Sequence, residues 1–195
     1  MSKLDRFLNA DERVVWSGRP EKKAFVLPGL GSVPFGLVFF GFFLLWMFSA
    51  SQQGLFFFGF FGLPFVLIAV GITFGPVLWQ LLRYRNTEYL ITNKRLITQT
   101  GAIGLDTRFV DFEKIQEVYV KIGVFDRLFG TGSLYAMTAG SAASFGPGTS
   151  PYGYGFGMNA FRPSLAALKE PYQIQKLLQD AVENSKIFLK SSSQL

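Results

Sequence analysis

Catalysis near neutral pH needs side chains that exchange protons or attack at that pH, and this 195-residue chain has few. It contains no His, which removes the commonest general base and the usual pH switch. It contains no Cys, and so has no thiolate nucleophile, no disulfide and no Cys metal site. Any reaction would rest on Asp and Glu alone. Glu88, Asp106, Asp111, Glu113, Glu117 and Asp126 are scattered over strand-like segments and turns, without the paired spacing of an acid–base dyad. The expectation is no catalytic residue, no cofactor and no metal site. An enzyme in or on a membrane is the weakest reading this inventory leaves.

Anion binding is the other chemistry open to the chain. Lys94 and Arg95 follow Asn93 at a tight-turn position. With Arg83, Arg85, Arg108 and Lys114 they make six candidates for contact with anionic lipid headgroups. A cation near an anionic surface contributes about 1 kcal/mol, so several together can orient a domain without selecting one ligand. The formal charge of +6 is evenly spread, with +2 in each of residues 1–23, 83–138 and 139–195. Nucleic-acid binding calls for a concentrated basic face, and nucleic acid is not an expected partner.

What must position these groups is set by residues 24–82, which contain no Asp, Glu, Lys or Arg in a chain that is 16% charged. About 20 apolar residues in a helix cross a bilayer core. The polar cluster from Ser49 to Gly54 divides the run into two spans, 31–48 and 55–82. This reads as a transmembrane hairpin, residues 24–85. Arg19, Lys22 and Lys23 precede the first span, Arg83 and Arg85 follow the second, and the turn has no cation. That pattern predicts a multi-pass protein of the cell membrane with both termini cytoplasmic. Pro64 and Pro76 can kink the second helix. Gly71 and Gly75 form a small-xxx-small pair, a candidate helix-association face. No ionisable residue lies within the spans, which disfavours a transporter or channel.

Before the hairpin, residues 1–23 form a polar N-terminal segment with Leu4, Phe7 and Leu8 at helical spacing and a short extended piece around Trp16. Trp16 suits either the water–lipid interface or the packing of a soluble domain. Past Leu82 the apolar period becomes two, with strands expected at 87–92, 95–100, 106–111, 115–121 and 133–138. In the fourth, Val118, Val120 and Ile122 should face inward. Residues 125–129 read as one helical turn stopped by Gly130, with Gly130 and Gly132 supplying turn geometry. Residues 139–157 are a Gly/Tyr-rich insertion without apolar periodicity, and 159–165 can return to the sheet. After Pro171 the residues Ile174, Leu177, Leu178, Ala181 and Val182 make one apolar helical stripe, with Gln175 and Gln179 off it. Residues 191–195 form a tail. Short successive strands imply an antiparallel sheet or a partly open barrel with the helix over one end.

The order of these parts resembles the bacterial and archaeal PH-like (pleckstrin-homology-like) membrane proteins, the YdbS-like group. The residues that carry the resemblance are Glu12-Arg13-Val14-Val15-Trp16-Ser17-Gly18-Arg19-Pro20 before a two-helix anchor, then Tyr89-Leu90-Ile91-Thr92-Asn93-Lys94-Arg95-Leu96-Ile97. Phe112-Glu113-Lys114-Ile115-Gln116-Glu117-Val118 and Asp126-Arg127-Leu128-Phe129-Gly130-Thr131-Gly132-Ser133-Leu134 complete the set. The resemblance implies a membrane α-helical hairpin plus a mainly-β PH-like barrel of about seven strands, residues 86–190, closed by a C-terminal α-helix. It implies a non-enzymatic binding or scaffolding module, self-assembling or attached to a partner membrane protein, at the cytoplasmic membrane face. A sensor of anionic lipid headgroups is the alternative.

Overall fold

The computed structural model describes residues 4–9, 11–52, 54, 61–139 and 164–192. The chain divides into two compact units: residues up to Phe25 together with those from Arg83 onward, and Val26–Leu82.

Among the described residues, the alternating segments of the first unit form seven strands. β1 (Val14–Gly18), β2 (Glu88–Thr92), β3 (Arg95–Thr100) and β4 (Asp106–Asp111) pair antiparallel in that order. β5 (Ile115–Lys121), β6 (Thr131–Thr138) and β7 (Leu165–Lys169) make a second antiparallel sheet. The expected single barrel is therefore two sheets of four and three strands. The break falls at a 3-10 turn, Phe112–Lys114, between β4 and β5. There the Phe112 ring is fully buried and its N–H is donated to the Lys94 carbonyl instead of a strand neighbour.

Both sheets share one core. Tyr89, Ile91 and Leu96 from the first meet Leu134, Ala136, Leu165 and Leu168 from the second, with Trp16, Val118 and Val120 packed against them. Trp16 thus belongs to the packing of this unit. Ile122 does not join the core and is exposed, because the strand ends at Lys121 and the chain turns into a short helix, α4 (Val124–Phe129). The Tyr89 hydroxyl fastens the sheets together, donating to the Ala166 carbonyl at 3.3 Å and accepting from the Ala166 N–H at 3.0 Å.

The apolar stripe after Pro171 becomes α5 (Pro171–Ser192). Ile174, Leu178 and Val182 enter the core, while Leu177 and Ala181 pack on its margin. Gln179 is exposed, but Gln175 is half-buried and donates from Nε2 to the Val118 carbonyl at 3.1 Å. Lys186 Nζ reaches the Ile115 carbonyl at 3.2 Å. The helix therefore covers the core and also satisfies backbone of β5, which is the outer strand of its sheet.

The expected helical turn over residues 125–129 is α4, and one of the two glycine assignments beside it differs in cause. Asp126 is buried, with Oδ2 accepting from the Gly123 N–H at 3.0 Å and Oδ1 from the Thr131 hydroxyl at 3.0 Å. It is Asp126, with Arg127 exposed beside it, that ties down α4. Gly130 closes the helix in the left-handed region, at φ 62°. Gly132 is instead a strand residue kept small by contact, since a Cβ there would press on the Pro171 ring.

The second unit contains the uncharged run. Lys22–Gln52 and Leu63–Arg85 are two helices long and apolar enough to cross a membrane. The first includes α1 (Lys22–Val26), a 3-10 segment and α2 (Val33–Gln52), and the second is α3 (Leu63–Arg85). Most of their apolar side chains point outward, with only 11% and 17% of the two stretches buried. The core helix of a soluble protein would be mostly covered. Pro64 is the second residue of α3, where its fixed φ favours helix initiation, so only Pro76 lies inside it. Gly36 of α2 faces Thr73 of α3 so closely that a Cβ would overlap the threonine side chain. The Phe43 and Phe65 rings stack at 4.9 Å between the same helices. Residues 55–60, the Gly/Tyr-rich insertion beyond residue 139 and the end of the tail lie outside the described residues.

Candidate binding cleft

The six candidate cations do not form one surface. Arg83 and Arg85 end α3. β2 and β3 then run away from that point and meet at the Asn93–Lys94 turn. Five strand residues at about 3.3 Å each place it roughly 16 Å from the start of β2. Lys94, Arg95 and Lys114 lie at that far end and Arg108 lies between, paired across from Thr98.

Four of the six hold carboxylates of the same chain. Lys94 is ion-paired with Asp11, Arg108 with Asp106 at 3.4 Å, and Lys114 with Asp111 at 2.7 Å. The Lys94 hydrogen bond holds the Asp11 carboxyl below its ordinary value, and the Asp111 bond pushes the Lys114 ammonium up. Arg95 is the most committed. Its Nε donates to Glu12 Oε1 at 2.7 Å, and its Nη2 donates to Glu12 Oε2 at 2.8 Å and to the Phe7 carbonyl at 3.0 Å. Its guanidinium also lies over the Phe109 ring at 4.9 Å. Burial alone would raise the Glu12 carboxyl, but hydrogen bonds from Arg95, the Asn9 amide and Thr92 outweigh it and hold the group low. Arg95 therefore straps the N-terminal segment over the outer face of β3, where Leu4 is buried against Leu90 and Ile97. The pairing with Glu12 spans 83 positions and leaves no local signal in the sequence.

Asp11, Asp111 and Glu113 line one pocket, and Glu88 and Asp126 are not among its lining residues. Glu88 is buried and ion-paired with Arg19, and Asp126 serves the α4 turn. Among the described residues, no group of three or more His, Cys, Asp or Glu is placed to hold a metal ion.

What the far end does contain is a cleft beside α5. One part, about 480 Å3, has Val15, Leu177 and Ala181 as its apolar floor and Gln173, Lys176, Asp180 and Asn184 along the helix side. The other, about 680 Å3, is lined by Asp11, Lys94, Asp111, Glu113 and Ser185. Asn93 and Asn184 line both parts. β1 is an outer strand of its sheet, and Val15 is half exposed on it. The arrangement can take an extended segment over an apolar floor with charges of both signs at the rim. Sequence reasoning missed it because its walls come from three distant parts of the chain. The stripe that identified the core face of α5 also hid that Leu177 and Ala181 are shared with the groove.

The family described as bacterial PH domain matches the chain over residues 25–182. No curated protein and no solved structure matches the chain.

Proposed function

The chain belongs to the bacterial PH domain family, and we propose that it is a non-enzymatic binding or scaffolding module held at the cytoplasmic face of the cell membrane by the hairpin α2–α3. The observation that carries this reading is the cleft between the edge of β1, the Asn93–Lys94 turn and α5, with its apolar floor and mixed-charge rim. Such a lining suits a segment of a partner protein, whether another membrane protein or a second copy, better than it suits a phosphate-rich headgroup. Anchoring supports the reading, because a domain confined beside the bilayer meets other confined proteins at high effective concentration and needs little intrinsic affinity. Gly71 and Gly75 on α3 leave open space where a Cβ would stand, and a neighbouring helix can approach there.

The test is crosslinking in native membranes followed by co-purification of the full chain and of a Val15→Glu, Lys176→Glu double variant. Both positions are solvent-accessible, so the fold should survive. Loss of a discrete crosslinked partner from the variant supports the cleft, and an unchanged partner set removes it. Lipid-headgroup sensing is favoured by one observation, the exposed Arg85 at the end of α3. It predicts that Arg85→Gln weakens crosslinking to anionic lipid while Lys94→Gln does not.

A further inference from the structure

A tight apolar loop is fixed to the end of α3. The Asn86 side chain, one residue past the helix, donates from Nδ2 to the Gly101 carbonyl at 3.1 Å and lies 3.4 Å from the Ala102 carbonyl. Thr87 reinforces the attachment. Its hydroxyl donates to the Arg83 carbonyl at 2.6 Å and lies 3.2 Å from the Thr100 hydroxyl. The β3–β4 connection is therefore held within two residues of the point where α3 ends.

This connection, residues 101–105, reads Gly-Ala-Ile-Gly-Leu and has no charged side chain. It is folded tightly enough that a Cβ at Gly101 would overlap the Gly104 carbonyl oxygen. Ile103 is 86% exposed and Leu105 is 54% exposed. Two aliphatic side chains are thus presented to solvent from one tight turn, and covering them would be favourable. The hairpin leaves the first unit after β1 and returns to it before β2, and Gly18 pairs with Tyr89 beside both crossings. The loop thus lies at the end of the sheet that carries both crossings. Arg83 and Arg85 precede it, and the acidic residue that follows it in sequence, Asp106, is ion-paired with Arg108.

We propose that residues 101–105 form a wedge that enters the headgroup–acyl boundary of the leaflet from which α3 emerges, with Ile103 and Leu105 as the inserted side chains. An apolar tip beside basic residues is the composition that lies in this zone of a bilayer. The wedge would bring this end of β2 and β3 to the lipid surface. This inference rests on the hairpin reading proposed above.

Because the chain has no Cys, a single introduced thiol reports one position. Full-length Ile103→Cys, labelled with an environment-sensitive fluorophore, is reconstituted in vesicles of equal parts phosphatidylcholine and phosphatidylglycerol carrying a spin-labelled quencher lipid. Leu37→Cys in α2 and Val14→Cys at the far end of the sheet serve as references. The expected result is a blue-shifted emission and lipid quenching at Ile103 and at Leu37, with neither at Val14, and a clear loss of Ile103 quenching when Asn86→Ala is added. Quenching at Leu37 without quenching at Ile103 overturns the wedge and leaves the hairpin standing. A blue shift at Ile103 without lipid quenching also overturns it, since the loop is then covered by protein. Absence of quenching at Leu37 overturns the hairpin reading and the wedge together.

Discussion

Glu12 and Arg95 stand 83 positions apart in the chain, yet they meet through two hydrogen bonds, 2.7 and 2.8 Å, in a side-by-side fork. The Glu12 side chain is fully buried and that of Arg95 is 19% exposed. Breaking such a pair by removing one partner leaves an uncompensated charge and costs about 3–5 kcal/mol, a large part of the roughly 5–15 kcal/mol that holds a domain. Glu12→Ala should therefore lower the thermal midpoint of the detergent-solubilised chain sharply. Arg95→Lys should fall between, because a lysine keeps the charge but cannot form the fork.

The same pair predicts an acid response. The Glu12 carboxyl is held low in the folded chain, so its contribution is fully present above the unfolded carboxylate value of about 4.3 and is lost as pH falls through the folded value. Thermal midpoints of the wild type should drop on acidification in that range. Glu12→Gln should start lower and lose less over the same interval. Parallel pH profiles for the two proteins would show that Glu12 is not a determinant of acid stability.

On α5, Leu177 and Leu178 are neighbours with different roles. Leu178 is fully buried in the core, whereas Leu177 lies on its margin and floors the cleft. Leu178→Ala should cost about 2–5 kcal/mol, and Leu177→Ala distinctly less while weakening partner crosslinking. Gln175→Ala should cost about 0.5–1.5 kcal/mol through its bond to Val118, and Gln179→Ala should be silent. Chemical denaturation of the four variants separates these effects, and equal losses for both leucines would contradict the packing.

Local signals made much of this fold legible. The uncharged run, the period-two segments after Arg85 and the stripe of α5 were readable because each depends on residues close in sequence. β1 was visible only as an extended piece. Its pairing with β2 bridges the whole hairpin, and no local pattern records a partner more than 70 positions away. Closure into one barrel failed as an expectation because Phe112, an apolar residue in a turn, directs the chain inward between the sheets. The cations were visible as residue types, but their engagement by Asp11, Glu12, Asp106 and Asp111 is largely a tertiary property.

Within the hairpin, the close approach between α2 and α3 is made at Gly36 against Thr73, whereas Gly71 and Gly75, the expected face for a further helix, have open space where a Cβ would stand. Gly36→Leu should separate the helices and disturb the Phe43–Phe65 stack, lowering the thermal midpoint in detergent. Gly71→Leu and Gly75→Leu should leave that midpoint unchanged, since open space surrounds both positions. If Gly71→Leu also lowers the yield of a crosslinked dimer, that face is the self-association surface. An unchanged dimer assigns it no such role.

Gln99 is the least expected residue of the first sheet. It sits in β3 opposite Glu88 and Thr107, is fully buried, and neither atom of its carboxamide has a hydrogen-bond partner. An unpaired buried polar group costs about 1–3 kcal/mol, while an aliphatic side chain of similar reach contributes by burial. Gln99→Met keeps the length and removes the unpaired atoms, and Gln99→Leu does so with a branched chain better suited to a strand. Gln99→Met should therefore raise the thermal midpoint of the full chain or leave it level, with Gln99→Leu close behind. Gln99→Ala should lower it, because truncation adds a cavity to the same site. Should Gln99→Met prove as damaging as Gln99→Ala, the carboxamide is bound after all, through a buried water or the Glu88 carboxylate. It would then be part of a polar network joining β2, β3 and β4 that the Arg19–Glu88 pair completes.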